Sequence, residues 1–154
     1  MSTNLYKANE VAKYLIYLSS KNVIGDHNER EGITNLKLQK ILYLAQAYFL
    51  SKFDKPLFDD QIEAWTYGPV IPTIYHLYKL CGNTPIIDIE DKSKISQEDK
   101  IILDKVWDSF GGYSSRKLVD ITHSHAPWKE AYATQTKIIS NSAIKAYYKP
   151  LIGN

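Results

Sequence analysis

The chain has 154 residues, 44% of them apolar and 23% charged, with a formal net charge of +2. That length supplies one hydrophobic core without disulfides or metal, burying about 70% of the unfolded surface, and points to a single domain over residues 1–154. So small a charge argues against nucleic acid or an acidic membrane as partner, and Cys81, the only cysteine, excludes an intramolecular disulfide or a multi-cysteine zinc site.

Ala8, Val11, Ala12, Leu15 and Ile16 recur at helical spacing and predict a helix over residues 8–20. The polar stretch from Asn22 to Gly32 reads as an exposed loop. Thr34 is placed to cap a second helix. On that helix Leu38, Ile41, Leu42, Ala45 and Phe49 form one face, and Leu36, Tyr43, Ala47 and Leu50 extend it nearly all round. Such a helix belongs at the centre of a core.

Pro56 stops it, and Leu57-Phe58 with Ile62 to Thr66 reads as a small β-hairpin, broken by Gly68-Pro69. Pro72 opens a third helix carrying Ile74, Leu77, Tyr78 and Cys81, with Gly82 at a left-handed end. Residues 84–89 read as an extended edge segment containing Pro85. Ser96 and Asp99 resemble a capping box before a helix that buries Ile102, Val106 and Phe110 and ends at Gly111-Gly112. Ser114 or Ser115 caps a helix through Leu118, Ile121 and Thr122. Pro127 starts a short helix with Trp128 and Ala131, and Ser140 caps a last one with Ile144 and Tyr147 that stops before Pro150. The expected fold is mainly α (α+β), a bundle of about six or seven helices with a small β-hairpin or short antiparallel sheet.

Little in the chain points to catalysis. Asp120, His123 and His125 lie close in sequence, with Glu130 beyond, and are the candidates for a small metal-dependent hydrolase. A helix would point the two histidines about 200° apart, and zinc wants three or four ligands. There is no His-Glu-x-x-His, no Gly-x-Ser-x-Gly and no phosphate-cradling glycine loop. Asp59-Asp60 and Glu98-Asp99 read as turn and cap residues. No catalytic residue, metal or other cofactor is assigned.

Binding is better represented. Trp65, Tyr67, Pro69, Val70 and Pro72 fall within eight residues and form either a rigid loop packed on the core or an aromatic anchor for another protein. Lys37 and Lys40 lie a turn apart on the apolar second helix, and Gln39, Tyr43 and Gln46 form a second polar stripe. Their polar ends must reach solvent or find partners, and a lysine commonly lays its stem on apolar surface with its head in water. The candidate partner-binding residues are therefore Lys37, Gln39, Lys40, Trp65, Tyr67 and Pro69. Arg30 and Arg116 are the only arginines, which counts against phosphate or nucleic-acid recognition. No apolar run approaches membrane-spanning length and the N-terminus has no hydrophobic signal core, so a cytoplasmic location is expected.

Thr34 to Gln46, Lys55-Pro-Leu-Phe58, Ile62-Glu-Ala-Trp-x-Tyr-Gly-Pro-Val-x-Pro72 and Leu118-x-x-x-Thr-His-x-x-x-Pro-Trp128 together resemble the Panacea domain family, also described as SocA-like antitoxins or phage-associated proteins. The order and spacing fit across roughly residues 8–148. The resemblance implies a mostly helical fold with a small β element. It also implies an antitoxin role in a two-gene module, often carried by prophages, with a cognate protein toxin as partner. A relative that delivers its toxin to an ATP-dependent protease suggests an adaptor role as the alternative. Gly68, Val70, Pro72, Thr122, His123, Pro127 and Trp128 belong to the shared motif as fold-defining positions. His125 stands where the family pattern leads one to expect an acidic residue. Whether copies of the chain pair is left open by these residues.

Overall fold

The computed structural model describes residues 4–25 and 32–152. Among them are seven α-helices: α1 (Ala8–Gly25), α2 (Asn35–Phe53), α3 (Pro72–Leu77), α4 (Gln97–Phe110), α5 (Ser115–His123), α6 (Ala126–Tyr132) and α7 (Asn141–Ile152). Three short strands, β1 (Ile62–Trp65), β2 (Gly68–Val70) and β3 (Ile138–Ile139), form an antiparallel sheet in the order β2-β1-β3. The fold is mainly α with a small sheet, as the apolar periodicity indicates. Among the described residues no helix is long and apolar enough to cross a membrane.

α2 is the axis of the molecule and packs against α1, α4, α5, α7 and β2. It starts where Thr34 Oγ1 accepts from Lys37 N at 3.2 Å, leaving the other orphan amides of the first turn to their surroundings. It ends at Asp54, whose left-handed backbone (φ 57°) lets its N–H reach Leu50 O. Every residue from Leu38 to Ala47 is buried, which explains the absence of a clean polar face. Removing the cap tests this start directly. Thr34→Ala is expected to lower stability by about 1 kcal/mol, and the thermal midpoint by about 2–4 °C, read by circular dichroism.

The polar side chains that such a helix carries find partners inside. Gln46 accepts from Leu57 N (2.8 Å) and Phe58 N (3.1 Å) and donates to Phe58 O (2.9 Å), satisfying a whole stretch of buried extended backbone. This is why Leu57-Phe58 does not pair with Ile62–Trp65, contrary to the hairpin expected there. Phe58 instead bridges Tyr6, while β1 pairs with β2 in the register Ala64↔Pro69 and Trp65↔Gly68. Gly68-Pro69, read as a break, is itself strand. Proline lacks only an N–H that no strand partner asks for here.

Other boundaries also move. α1 continues through Asn22 to Gly25, where a loop was expected, and the rest of that loop (26–31) lies outside the described residues. α3 ends at Leu77, which is exposed. A 3₁₀ turn over Lys79–Cys81 carries the chain to Gly82, whose φ of 55° with ψ −126° is a glycine conformation but not the left-handed helical one. Residues 84–89 form no strand and are tied by one bridge, Ile33 to Ile86. α7 runs through Pro150. Proline removes one hydrogen bond in a final turn that the buried Ile144 and Tyr148 already anchor. The expected caps are present: Ser96, Ser114 and Ser140 accept from the backbone N–H of Asp99, Lys117 and Ala143. At Ser96 the Tyr6 hydroxyl joins the box, donating to Asp99 Oδ2 at 2.6 Å and accepting from Ser96 N at 3.1 Å.

Candidate functional site

Between β1 and β2 the chain turns in two residues, Thr66 and Tyr67. A hairpin this short is not stable alone, and four side chains from three helices hold its backbone. Lys40 Nζ donates to Pro69 O at 2.9 Å. Gln39 Oε1, on the same helix, accepts from Ile71 N at 2.8 Å. His123 Nε2, at the end of α5, meets Thr66 O at 2.8 Å, which makes that ring nitrogen the protonated donor. Trp128 Nε1, on α6, donates to Trp65 O at 2.9 Å. The His123 and Trp128 rings lie against each other with centroids 4.1 Å apart. The Thr-His…Pro-Trp segment thus holds the hairpin that the Tyr-Gly-Pro-Val segment forms.

Lys40 is the unusual member. It is fully buried, and no carboxylate pairs with it among the described residues. Burial lowers its pKa from 10.5 to about 7, because water no longer solvates the charged form. Its stem fills the space beneath Gly68, where an added Cβ would lie 2.8 Å from Lys40 Cε and 3.1 Å from Thr122 Oγ1. Gly68 itself has φ +112°, a conformation that residues with a Cβ rarely adopt. Thr122 is buried and its hydroxyl donates back to Leu118 O.

The clamped hairpin forms one side of a cleft of about 650 Å³. Trp65, Tyr67, Tyr75 and Tyr132 line it with their rings, and Leu36, Ala64 and Val70 add apolar surface. Trp65 meets Tyr75 edge-on at 5.0 Å, and Tyr132 stacks on Trp128 at 4.7 Å. Tyr67, at the tip of the turn, is 67% exposed. The amides of Asn35 and Gln39 also border the cleft but are committed within the chain: Asn35 donates to Tyr75 O, and Gln39 Nε2 to Asn35 Oδ1. Lys79 and Lys137 are the charged residues of the lining.

The six candidate contact residues therefore separate. Trp65 and Tyr67 face the cleft. Gln39 lines it but is buried, Lys40 lies beneath the hairpin, and Pro69 is buried within strand β2 of the hairpin itself. The expectation that Lys40 keeps its head in water is corrected, because Pro69 O supplies the partner that solvent would. Lys37 reaches away to another place, donating to Gly111 O at 2.6 Å with its ammonium 5.6 Å from the Trp107 ring, at the end of α4. Of the motif positions, Gly68, Val70, Thr122 and Pro127 are buried and Pro72 is half-buried at the start of α3. Tyr75, Tyr132, Lys79 and Lys137 were not singled out from the sequence. The i, i+4 spacing of Trp128 with Tyr132, and of Tyr75 with Lys79, is the only local sign of them.

Asp120, His123 and His125 are not brought to a common point. His123 holds the hairpin, and His125 Nδ1 sits 2.7 Å from the Tyr148 hydroxyl. Asp120 is 3.7 Å from Arg116 in an exposed pair. Burial, and then Lys129, lower the pKa of His125. Among the described residues no group of three or more His, Cys, Asp or Glu side chains is arranged to hold a metal ion.

A family model described as "Antitoxin SocA-like, Panacea domain" matches residues 38–129, from the first turn of α2 into α6, and so covers the whole clamp. Antitoxin SocA of Caulobacter vibrioides (strain NA1000 / CB15N) is 34% identical over 109 residues, covering 62% of this chain and 58% of that protein. The chain thus spans well under two thirds of that relative's length. No solved structure matches the chain. With more than half of its length in the family match, and with both motif segments meeting at one hairpin, the chain belongs to the Antitoxin SocA-like, Panacea domain family.

Proposed function

We propose that the chain is an antitoxin that neutralises a cognate toxin by direct protein binding, and that the aromatic cleft beside the hairpin is the contact surface. Membership of the family and the relative named Antitoxin SocA support the role. The observation that carries the surface is the clamp: four hydrogen bonds from three helices fix the backbone under Trp65 and Tyr67. Rigid aromatic groups on fixed backbone lose little entropy on binding and are the usual anchors of protein interfaces. The same rings carry no paired acid and base and no activated nucleophile, so masking rather than chemistry is what this cleft offers.

Tyr67→Ala tests the surface. Its side chain is mostly exposed, so the variant is expected to fold with an unchanged circular-dichroism melt. Loss of an aromatic hot spot is expected to weaken toxin binding by about 10–100-fold. The readouts are calorimetry and growth rescue on co-expression with the product of the adjacent open reading frame. Undiminished rescue by the folded variant would remove the cleft from consideration. A toxin half-life that the chain leaves unchanged is the result expected for masking, whereas a shortened one favours the adaptor alternative.

A further inference from the structure

The residues lining the cleft include two lysines and no carboxylate. Glu63, two positions from Trp65 on the same strand, is not part of the lining; its carboxylate is engaged by Trp65 Nε1 at 2.9 Å and Gln61 Nε2 at 2.7 Å. Lys79 is exposed, and its ammonium has no ion-pair or hydrogen-bond partner among the described residues. Lys137 spends one donor on Tyr132 O at 2.7 Å and keeps two. The hydroxyls of Tyr67, Tyr75 and Tyr132 are likewise unengaged among the described residues. The cleft therefore presents ammonium and phenol donors around apolar rings, and its field favours an anion.

The rings decide which kind of anion. Tyr132 carries Trp128 stacked at 4.7 Å and the Lys137 ammonium at 4.2 Å from its centroid. Together they occupy much of the surface on which a flat group could stack. Trp65 is met by Tyr75 at 5.0 Å. What the cleft offers is ring edges, hydroxyls and an apolar hollow rather than a slot for a flat base. The lining contains no arginine and no loop of successive glycines that would cradle a phosphate. A nucleotide is disfavoured on both counts.

Resting on the reading of this cleft as the toxin contact, we propose that it takes a segment of the partner protein bearing a large apolar side chain with carboxylates beside it, and that Lys79 and Lys137 read those carboxylates. The apolar group enters between Trp65, Tyr67 and Tyr75. The carboxylates then meet an ammonium at partial desolvation, where a charge-assisted bond is stronger than in open water.

Selection of a random phage-displayed peptide library on the full chain tests this. Enriched sequences are expected to carry Asp or Glu next to Trp, Phe or Leu. Lys79→Glu, which removes no hydrogen bond or ion pair of the side chain among the described residues, is expected to weaken an enriched acidic peptide about tenfold or more and to shift a repeat selection toward basic sequences. Lys79→Glu with Lys137→Glu extends the reversal. Enriched peptides without acidic bias, peptides that bind Lys79→Glu as well as the parent, or displacement of them by ATP would each overturn the proposal. If Tyr67→Ala abolishes toxin neutralisation while the selection shows no acidic bias, the cleft stands as the contact and only its charge preference falls. If neutralisation survives Tyr67→Ala, the contact assignment itself fails.

Discussion

Gly68→Ala is expected to destabilise the chain by on the order of 3 kcal/mol and to abolish toxin neutralisation. Two effects add at this position. A backbone with φ +112° is strained for any residue with a Cβ, at a cost of about 1–3 kcal/mol. The new methyl would also lie 2.8 Å from Lys40 Cε and 3.1 Å from Thr122 Oγ1, both buried and neither able to move into solvent. Overpacking of that kind costs a further 1–3 kcal/mol or so. Gly82→Ala is the control, because its φ is also positive (+55°) but open space surrounds the added methyl. It should show the backbone cost alone, about 1–2 kcal/mol. Urea unfolding of the two variants separates the contributions. Equal losses at the two glycines would mean that Lys40 does not fill the space beneath the hairpin.

The second large effect is a rise in stability with pH, centred on Lys40. Burial holds its pKa at about 7 in the folded chain, against 10.5 in the open one. Between those values the unfolded chain binds more protons, so stability increases with pH, by up to about 5 kcal/mol over the whole window. Below about pH 7 both states are protonated and the cost is fully present. Above about pH 10 the trend reverses. Burial pushes the phenol pKa values of Tyr14, Tyr43 and Tyr148 up, so the unfolded chain loses those protons first. Maximum stability is therefore expected a little below pH 10. Both forms of the Lys40 amine can donate to Pro69 O, so the hairpin stays in place across the range. Lys40→Met is expected to flatten the profile between pH 7 and 9 while keeping the alkaline fall. Its loss of a donor to Pro69 O costs about 1–3 kcal/mol, offset at pH 7 by the vanished burial cost. A parent profile that is already flat over pH 7–9, in urea melts, would contradict the buried, unpaired Lys40.

Much of the fold was legible because local signals agreed with tertiary ones. Thr34, Ser96, Ser114 and Ser140 announce helix starts by a chemistry that operates within three residues, and all four act as caps. The circumference of α2 is apolar because it is surrounded. The hairpin partner was misread because Gly68-Pro69 has the composition of a break, while the reason these residues sit in a strand lies in α2 and α5. Lys40 was misread for a related cause. The rule that lysine heads reach water holds unless another part of the chain supplies both cover and an acceptor, and Pro69 O, 29 residues away, does so.

The candidate site was legible in half. Trp65 and Tyr67 stood out because they share a stiff aromatic segment. Tyr75, Lys79, Tyr132 and Lys137 come from α3, the turn after it, α6 and the approach to β3, and only the sheet and the packing of α6 on β1 bring them together. The Thr-His…Pro-Trp segment was legible as a motif but not as a mechanism. Its histidine and tryptophan act on the backbone of the hairpin, a contact over 57 and 63 residues that no local pattern encodes. The pairing of Asp120, His123 and His125 was suggested by proximity in sequence alone, and each side chain turned to a different neighbour.

The clamped hairpin and its aromatic cleft are proposed as the face on which the partner sits. Amide hydrogen exchange on the full chain, with and without the product of the adjacent open reading frame, measures this most directly. The expected result is slowed exchange on complex formation over residues 64–70, 75–83 and 132–138. Protection confined to α1 and α4, with exchange in those three segments unchanged, would place the contact elsewhere and contradict the account.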